Sequence, residues 1–192
     1  MKRLWVFSVP WLVCSCAGPN QAPGAFPEDT MWRSVIQKTD PGGETVSVET
    51  RFASLGKKFR VEVKSSESAE GRVAVFDGER LVTNWPDKTL SSADFDLRKT
   101  YKALYSALAR FRYHGESVLD GRKCWYYSLE QESRSHHVWV DMETRLPRRN
   151  RLDIEGFVRD EKFLDTPGGF EVTPEVFDAE LFEKQLNDVV NQ

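Results

Sequence analysis

Between residues 31 and 85 the chain alternates apolar and polar positions. Residues 58–64 are the plainest case: Phe59, Val61 and Val63 face one way, and Lys58, Arg60, Glu62 and Lys64 the other. A period of two with one dry and one wet face marks a strand of an antiparallel sheet. Segments 31–38 and 44–52 read as strands on either side of Asp40-Pro41-Gly42-Gly43, a strong turn signal. Segments 72–76 and 80–85 flank Asp77-Gly78, a pair favoured in type I′ hairpin turns. The period then changes. Leu97, Tyr101, Leu104, Leu108 and Phe111 follow one another at spacings of 4, 3, 4 and 3, which is one stripe of an amphipathic helix over 95–111. Ser92 or Asp94 can cap its start, and Arg110 and Arg112 suit its C-terminal end. At 1.5 Å per residue this helix reaches about 27 Å, enough to cross the face of a sheet.

Alternation resumes at 113–119, and Asp120-Gly121 turns the chain into a run of strands at 123–132, 135–141, 148–154 and 156–165. Residues 170–178 read as a last extended segment. Residues 179–190 read as a short amphipathic helix built on Leu181, Phe182, Leu186 and Val189. The sum is a mainly β (α+β) chain of about ten to eleven antiparallel strands, a sheet long enough that it should curl. The helical stripe must be buried somewhere. The expected architecture is therefore a strongly curved half-barrel, with a central helix packed in the concave face and a short C-terminal helix.

The first residues do not belong to this pattern. Lys2 and Arg3 precede ten mostly apolar residues, 4–13, too few to span a bilayer but suited to a signal peptide. Val13-Cys14-Ser15-Cys16 then resembles the bacterial lipoprotein signal, with an aliphatic residue three before the acceptor cysteine and a small residue just before it. Cys14 departs from that pattern, although it is small. The resemblance implies a signal peptide at 1–15 and a lipidated Cys16 carrying acyl chains, each methylene adding roughly 0.8 kcal/mol of membrane affinity. Ala17 follows where an inner-membrane retention signal would place Asp, so the resemblance favours the outer membrane, facing the periplasm. Residues 16–29, rich in Gly, Pro and polar side chains, read as a flexible tether of roughly 20 Å. One folded domain is expected at 30–192.

Composition narrows the partners. Removing Lys2 and Arg3 from the 27 basic residues leaves 25 against 30 acidic ones, a net charge of −5. A mildly acidic domain argues against nucleic acid as a partner. The basic run Arg145, Arg148, Arg149 and Arg151 reads as a solvated strand face. With Cys14 removed and Cys16 acylated, Cys124 has no partner for a disulfide within the domain; beside Trp125 it reads as a buried, hydrophobe-like thiol. His136 and His137 are adjacent on a strand, point to opposite faces, and so cannot chelate one metal together. No Gly-x-Ser-x-Gly, phosphate loop or paired carboxylates stand out, so no enzyme activity, metal or cofactor is expected.

The order of features resembles the lipoprotein-sorting (LolA/LolB-like) superfamily. The carrying residues are Asp77, Gly78, Leu81, Trp85 and Pro86 before the helix, and Gly121 after it. They continue with Val138, Trp139, Val140, Asp141, Thr144, Leu146, Pro147 and Arg149, and close with Pro174 and Phe177, so the likeness spans residues 30–178. Most of these are turn chemistry and strand alternation; Asp141 to Pro147 reads as a structural turn. The resemblance implies an incomplete antiparallel barrel with helices as a lid and an apolar cavity for acyl chains. It makes Trp85, Leu97, Tyr101, Leu104 and Leu108 candidates for cavity or lid, with Phe111, Trp125, Tyr127 and Trp139. Carriers of the superfamily begin with an amphipathic helix, which residues 17–30 do not supply. A permanent anchor on Cys16 would also forbid a soluble shuttle. The expectation is a membrane-anchored protein that handles an acyl chain, lipid or lipoprotein, with an envelope protein as a further partner. The alternative is an interaction or envelope-sensing module on the same fold without an open cavity.

Overall fold

A computed structural model describes residues 23–67, 71–87, 89–164 and 173–190. The signal segment, Cys14 and Cys16 lie outside the described residues. Ten strands form one sheet: β1 (Thr30–Thr39), β2 (Thr45–Leu55), β3 (Lys58–Ser65), β4 (Arg72–Phe76), β5 (Leu81–Thr83), β6 (Arg112–Leu119), β7 (Arg122–Gln131), β8 (Arg134–Asp141), β9 (Pro147–Ile154) and β10 (Phe157–Leu164). Their order is β5-β4-β3-β2-β1-β10-β9-β8-β7-β6, antiparallel throughout. The sheet is curved and does not close, since β5 and β6 each have a neighbour on one side only. Those two edge strands are consecutive in sequence. The chain between them must travel from one edge of the sheet to the other, and it does so as a helix across the concave face.

That helix is broken where one continuous run was expected. Asp96, at φ −76° and ψ 86°, separates α1 (Ser92–Phe95) from α2 (Leu97–Ala107), and a 3₁₀ turn, Leu108–Arg110, finishes it. The break has a local cause. Ser91 donates from its backbone N–H and its hydroxyl to the Asp94 carboxylate, at 2.8 and 2.7 Å, closing α1 as a capping box. Asp96 then caps α2, accepting from the Arg98 backbone N–H at 3.2 Å and from the Arg98 guanidinium at 2.8 Å. Arg98 is buried and its Nη1 also donates to the Gly56 carbonyl at 2.5 Å, which ties the helix start to the β2–β3 turn.

The main core lies between α2 and the concave face of the sheet. Phe52, Phe59, Val61, Val138, Val140 and Phe163 form its floor, and Tyr101, Tyr105, Leu108 and Phe111 its roof. A smaller core lies on the other face. Val75 alternates with Ala74, so Ala74 joins the main core while Val75 packs against Ala179 and Phe182 of the C-terminal helix α3 (Ala179–Val190). α3 thus covers β4 and β5 from outside and takes no part in roofing the concave side. Ahead of it, Pro174–Phe177 is a 3₁₀ turn with Pro174 at its first position, where an extended segment was expected over 170–178.

Four of the hairpins between described strands have two-residue loops, and two of these share one backbone pattern. Asp120-Gly121 (φ 50° and 76°) and Glu155-Gly156 (φ 52° and 83°) are two-residue loops with both residues left-handed, the type I′ pattern that matches strand twist. The expected I′ turn at Asp77-Gly78 is instead a four-residue loop. Only Gly78 has positive φ there, and the Asp77 carboxylate accepts from the N–H groups of Glu79 and Arg80 at 2.9 and 2.8 Å.

Residues 23–29, expected to be tether, are seated on the domain. Phe26 is buried, stacked on Tyr101 at 5.4 Å and set edge-on to Trp32 and Tyr105 at 5.7 and 5.3 Å. The Glu28 carbonyl accepts from the Ser54 hydroxyl at 2.8 Å, and the Asp29 carboxylate from the Gly56 N–H at 2.7 Å. Apolar burial of Phe26 outweighs the turn-forming composition around it.

Candidate functional site

The aromatic stripe fills most of the space beneath the helix with side chains. Trp32 stacks on Phe52 at 4.3 Å, and Tyr101 meets Trp32 and Phe163 edge-on at 5.3 and 5.5 Å. In the middle of this apolar packing lies one carboxylate. Glu161, 1% exposed, accepts from the Tyr101 hydroxyl at 2.6 Å, the Ser34 hydroxyl at 2.9 Å and Arg159 Nη2 at 3.3 Å. Three donors satisfy a charge that burial alone would make costly. The same bonds pin α2 to β1 and β10. Burial, reinforced by the Glu161 charge, pushes the Tyr101 hydroxyl well above its usual pKa, so it stays a donor.

Beside this filled centre, space opens. A cleft of about 560 Å³ lies between the outer flank of α2 and strands β7 to β10. Its helix wall is Thr100, Tyr101, Ala103, Leu104 and Ala107, ending at Arg110 and Phe111. Its sheet wall takes Leu129 and Gln131 from β7, and Arg134 and His136 from β8. Asn150 and Leu152 from β9 and Arg159 from β10 complete it. Strand parity explains the membership: His136 and Arg134 share the face of the buried Val138 and Val140, and β9 presents Leu152 directly opposite His136. Thr100, Ala103, Arg110, Gln131 and Arg134 are exposed, so the cleft opens to solvent along that side.

The wall combines apolar and cationic side chains: on the sheet, Leu152 stands between Arg159 and His136. Among the described residues no aspartate or glutamate lines it, and three arginines do. Among the described residues, neither Arg110 nor Arg134 has an acidic partner, whereas Arg159 shares Glu161. His136 is 8% exposed, with Nε2 2.7 Å from the Asn150 carboxamide oxygen and its ring edge-on to Phe111 at 5.1 Å. Desolvation lowers its pKa below the ordinary histidine value, and the Asn150 hydrogen bond only partly opposes this. The ring is therefore neutral at pH 7. His136 Nδ1 and Arg159 Nε are buried with no hydrogen-bond partner among the described residues.

The expected cavity residues divide. Tyr101, Leu104 and Phe111 line the cleft. Leu108, Trp125 and Tyr127 are buried in the main core, and Leu97 and Trp85 pack against it, Trp85 on Phe95 at 4.8 Å. Trp125 is covered by the Arg145 guanidinium, 4.3 Å from its ring centroid. Trp139 is on the opposite face of the sheet, stacked on Tyr126 at 4.8 Å with Arg149 over it at 5.6 Å. Its parity with His137, set against Val138 and Val140, puts it there. Asp141 accepts from the Glu143 and Thr144 N–H groups at 2.9 Å each, holding a turn in which Arg145 has φ 61°. The Arg145 carbonyl receives the Tyr105 hydroxyl at 2.5 Å, so this turn also anchors α2. Cys124 is fully buried, its thiol pushed up to about 11 chiefly by desolvation, which leaves it inert at neutral pH.

Sequence reasoning overlooked Arg134, Arg159, His136 and Leu152 as cleft residues, and read Arg110 only as a helix-end charge. Alternation does place His136 on the inner face. That Arg134 and Arg159 line one cleft depends on the β8–β9–β10 register, which sets Arg159 in line with Leu152 and His136, and Arg134 in the neighbouring inward-facing row with Ile154 and Phe157.

No protein-family profile and no curated protein sequence matches the chain. Solved structures similar to it include that of MucB, at 16% identity and a TM-score of 0.49; this chain spans 58% of that one and is itself covered over 79%. A LolA superfamily protein from Nitrosomonas europaea is similar at 11% identity and a TM-score of 0.38, covering 84% of this chain and 96% of its own. An uncharacterized conserved protein from Thermus thermophilus is similar at 18% identity and a TM-score of 0.40, covering 78% of this chain and 83% of its own. The chain itself is a curved half-barrel, open at both edges and crossed by a helix. Among the described residues no helix is long and apolar enough to cross a membrane.

Proposed function

We propose that this chain is a lipid-anchored protein of the bacterial envelope that binds the acyl part of a lipid or lipoprotein beside its central helix. The observation that carries this reading is the cleft. Its volume of about 560 Å³ falls among small-ligand sites, and the part of its wall formed by Leu104, Ala107, Phe111, Leu129 and Leu152 is apolar. The lining from Thr100 to Phe111 runs along the helix for about 16 Å. Methylenes laid along it would leave water for aliphatic and aromatic carbon, at about 0.8 kcal/mol for each one fully buried. The main interior is already packed, so α2 forms one wall of the site and need not swing away to admit a chain. No step of bond making enters this reading; the protein works by binding. The anchor would be Cys16. Residues from Pro23 onward are seated on the domain, and Cys16 stands only seven positions earlier, so the domain would ride close to the membrane.

Purified mature protein should carry co-purified lipid by native mass spectrometry and bind a fluorescent fatty acid. Absence of both would refute the acyl-binding reading. A Cys16→Ala variant should move from the membrane to the soluble envelope fraction; full membrane retention would refute the anchor.

A further inference from the structure

The cleft is built for a charged end as well as an apolar one. We propose that its ligand is a single-chain anionic amphiphile, with a carboxylate or phosphate held by Arg110, Arg134 and Arg159 and its chain against the apolar side chains of the cleft. The inference rests on the acyl-binding reading and adds the headgroup class.

Three observations support it. First, the charge is one-sided: among the described residues three arginines line the cleft and no acidic residue does, on a chain whose overall charge is negative. Arg110 comes from the 3₁₀ turn after α2, Arg134 from the start of β8 and Arg159 from β10, so the fold gathers them from three separate places. Among the described residues neither Arg110 nor Arg134 is neutralised, and guanidinium forks match carboxylate and phosphate oxygens in pairs. Second, the site contains buried polar atoms without partners. Arg159 Nε is a donor lacking an acceptor; Nη2 of the same guanidinium reaches Glu161, but Nε does not. His136 Nδ1 is likewise unpaired on a side chain more than nine-tenths buried, while Nε2 is committed to Asn150. Orphaned buried donors are rare in proteins, and a bound oxyanion would satisfy Arg159 Nε directly. His136 presents a lone pair to a headgroup hydroxyl, or a donor once protonated beside an anion.

Third, apolar surface accompanies the arginines to the end of the sheet. Ile154 pairs with Arg134 on one side and Phe157 on the other, so all three share the concave face. Ile154 and Phe157 are 39% and 44% exposed at the tip of the β9–β10 hairpin. Carbon both inside the cleft and at its rim, with cations beside each, is the pattern of a site loaded from an amphiphile-rich surface.

The probes are palmitate, 1-palmitoyl lysophosphatidic acid and the neutral 1-palmitoylglycerol, each displacing a fluorescent fatty acid from the mature domain. Both anionic probes should bind about tenfold or more tightly than the glycerol ester, since charge-assisted pairs distinguish them. The paired substitution Arg110→Gln and Arg134→Gln lies on exposed positions and should leave the melting temperature unchanged. It should cut the anionic preference at least several-fold, with Arg159 still in place, while retaining binding of 1-palmitoylglycerol. Equal binding of anionic and neutral probes, or a preference left undiminished by the double substitution, would overturn the headgroup inference and leave acyl binding standing. Failure of all three probes to bind would overturn both. Preference for palmitate over the lysophospholipid, or the reverse, identifies the source of the oxyanion.

Discussion

At the scale of single residues, Glu161 shows how one polar group is kept inside an apolar core. Its Tyr101, Ser34 and Arg159 donors come from α2, β1 and β10, so loss of any one leaves a buried charge short of a partner. Tyr101→Phe preserves the ring that stacks on Phe26 and removes only the hydroxyl. Unfolding in urea should show a loss of about 1.5–3 kcal/mol, the range for hydrogen bonds to charged groups. A change within a few tenths of a kcal/mol would mean that Ser34 and Arg159 suffice. The tyrosine stripe was legible as helical spacing. Its second task, holding a carboxylate 60 residues away, was not, because nothing local in the sequence marks Glu161 as different from its solvated neighbours on β10.

Among elements, the two I′ hairpins are a useful contrast. Asp120-Gly121 has a residue that tolerates the left-handed region at its first position; Glu155-Gly156 does not. Glu155 sits at φ 52° without the short side chain that makes Asn or Asp comfortable there. Glu155→Asn should therefore stabilise the domain by about 0.5–1 kcal/mol, read as a raised melting temperature without a change in amplitude. An unchanged or lowered melting temperature would show that Glu155 makes a compensating contact. The expected turn at Asp77-Gly78 formed a longer loop because the Asp77 carboxylate caps two backbone N–H groups. That side-chain choice competes with the I′ geometry the dipeptide favours. The predicted single helix split for a similar reason, since Ser91 and Asp96 each supply a cap and the spacing of the apolar stripe is blind to both.

For the whole molecule, the N-terminal segment couples the fold to its proposed anchor. Phe26 closes the aromatic cluster of Trp32, Tyr101 and Tyr105 from one side, and the Pro23 carbonyl accepts from Arg145 Nη1 at 3.3 Å. Phe26→Ala should lower stability by about 3 kcal/mol, the low end for deleting a buried aromatic, because a site near the chain end can relax. A loss under 1 kcal/mol in urea denaturation would indicate that the segment docks weakly and that the longer tether is the better description.

The sequence alone located the strands that pair in the sheet, the crossing helix, the C-terminal helix and the turn at Asp141–Pro147. These rest on periodicity and turn chemistry, which act over a few residues and so are written locally. Only the tertiary structure decided that the space beneath the helix is filled, and that the open volume lies at its flank. Packing of Phe26 and Trp32 against Tyr101 depends on which residues meet across the sheet, not on any one segment. The cationic rim has the same origin. Arg110, Arg134 and Arg159 are ordinary surface charges in sequence, and they become a site because curvature and register bring a helix end and two strands to one cleft.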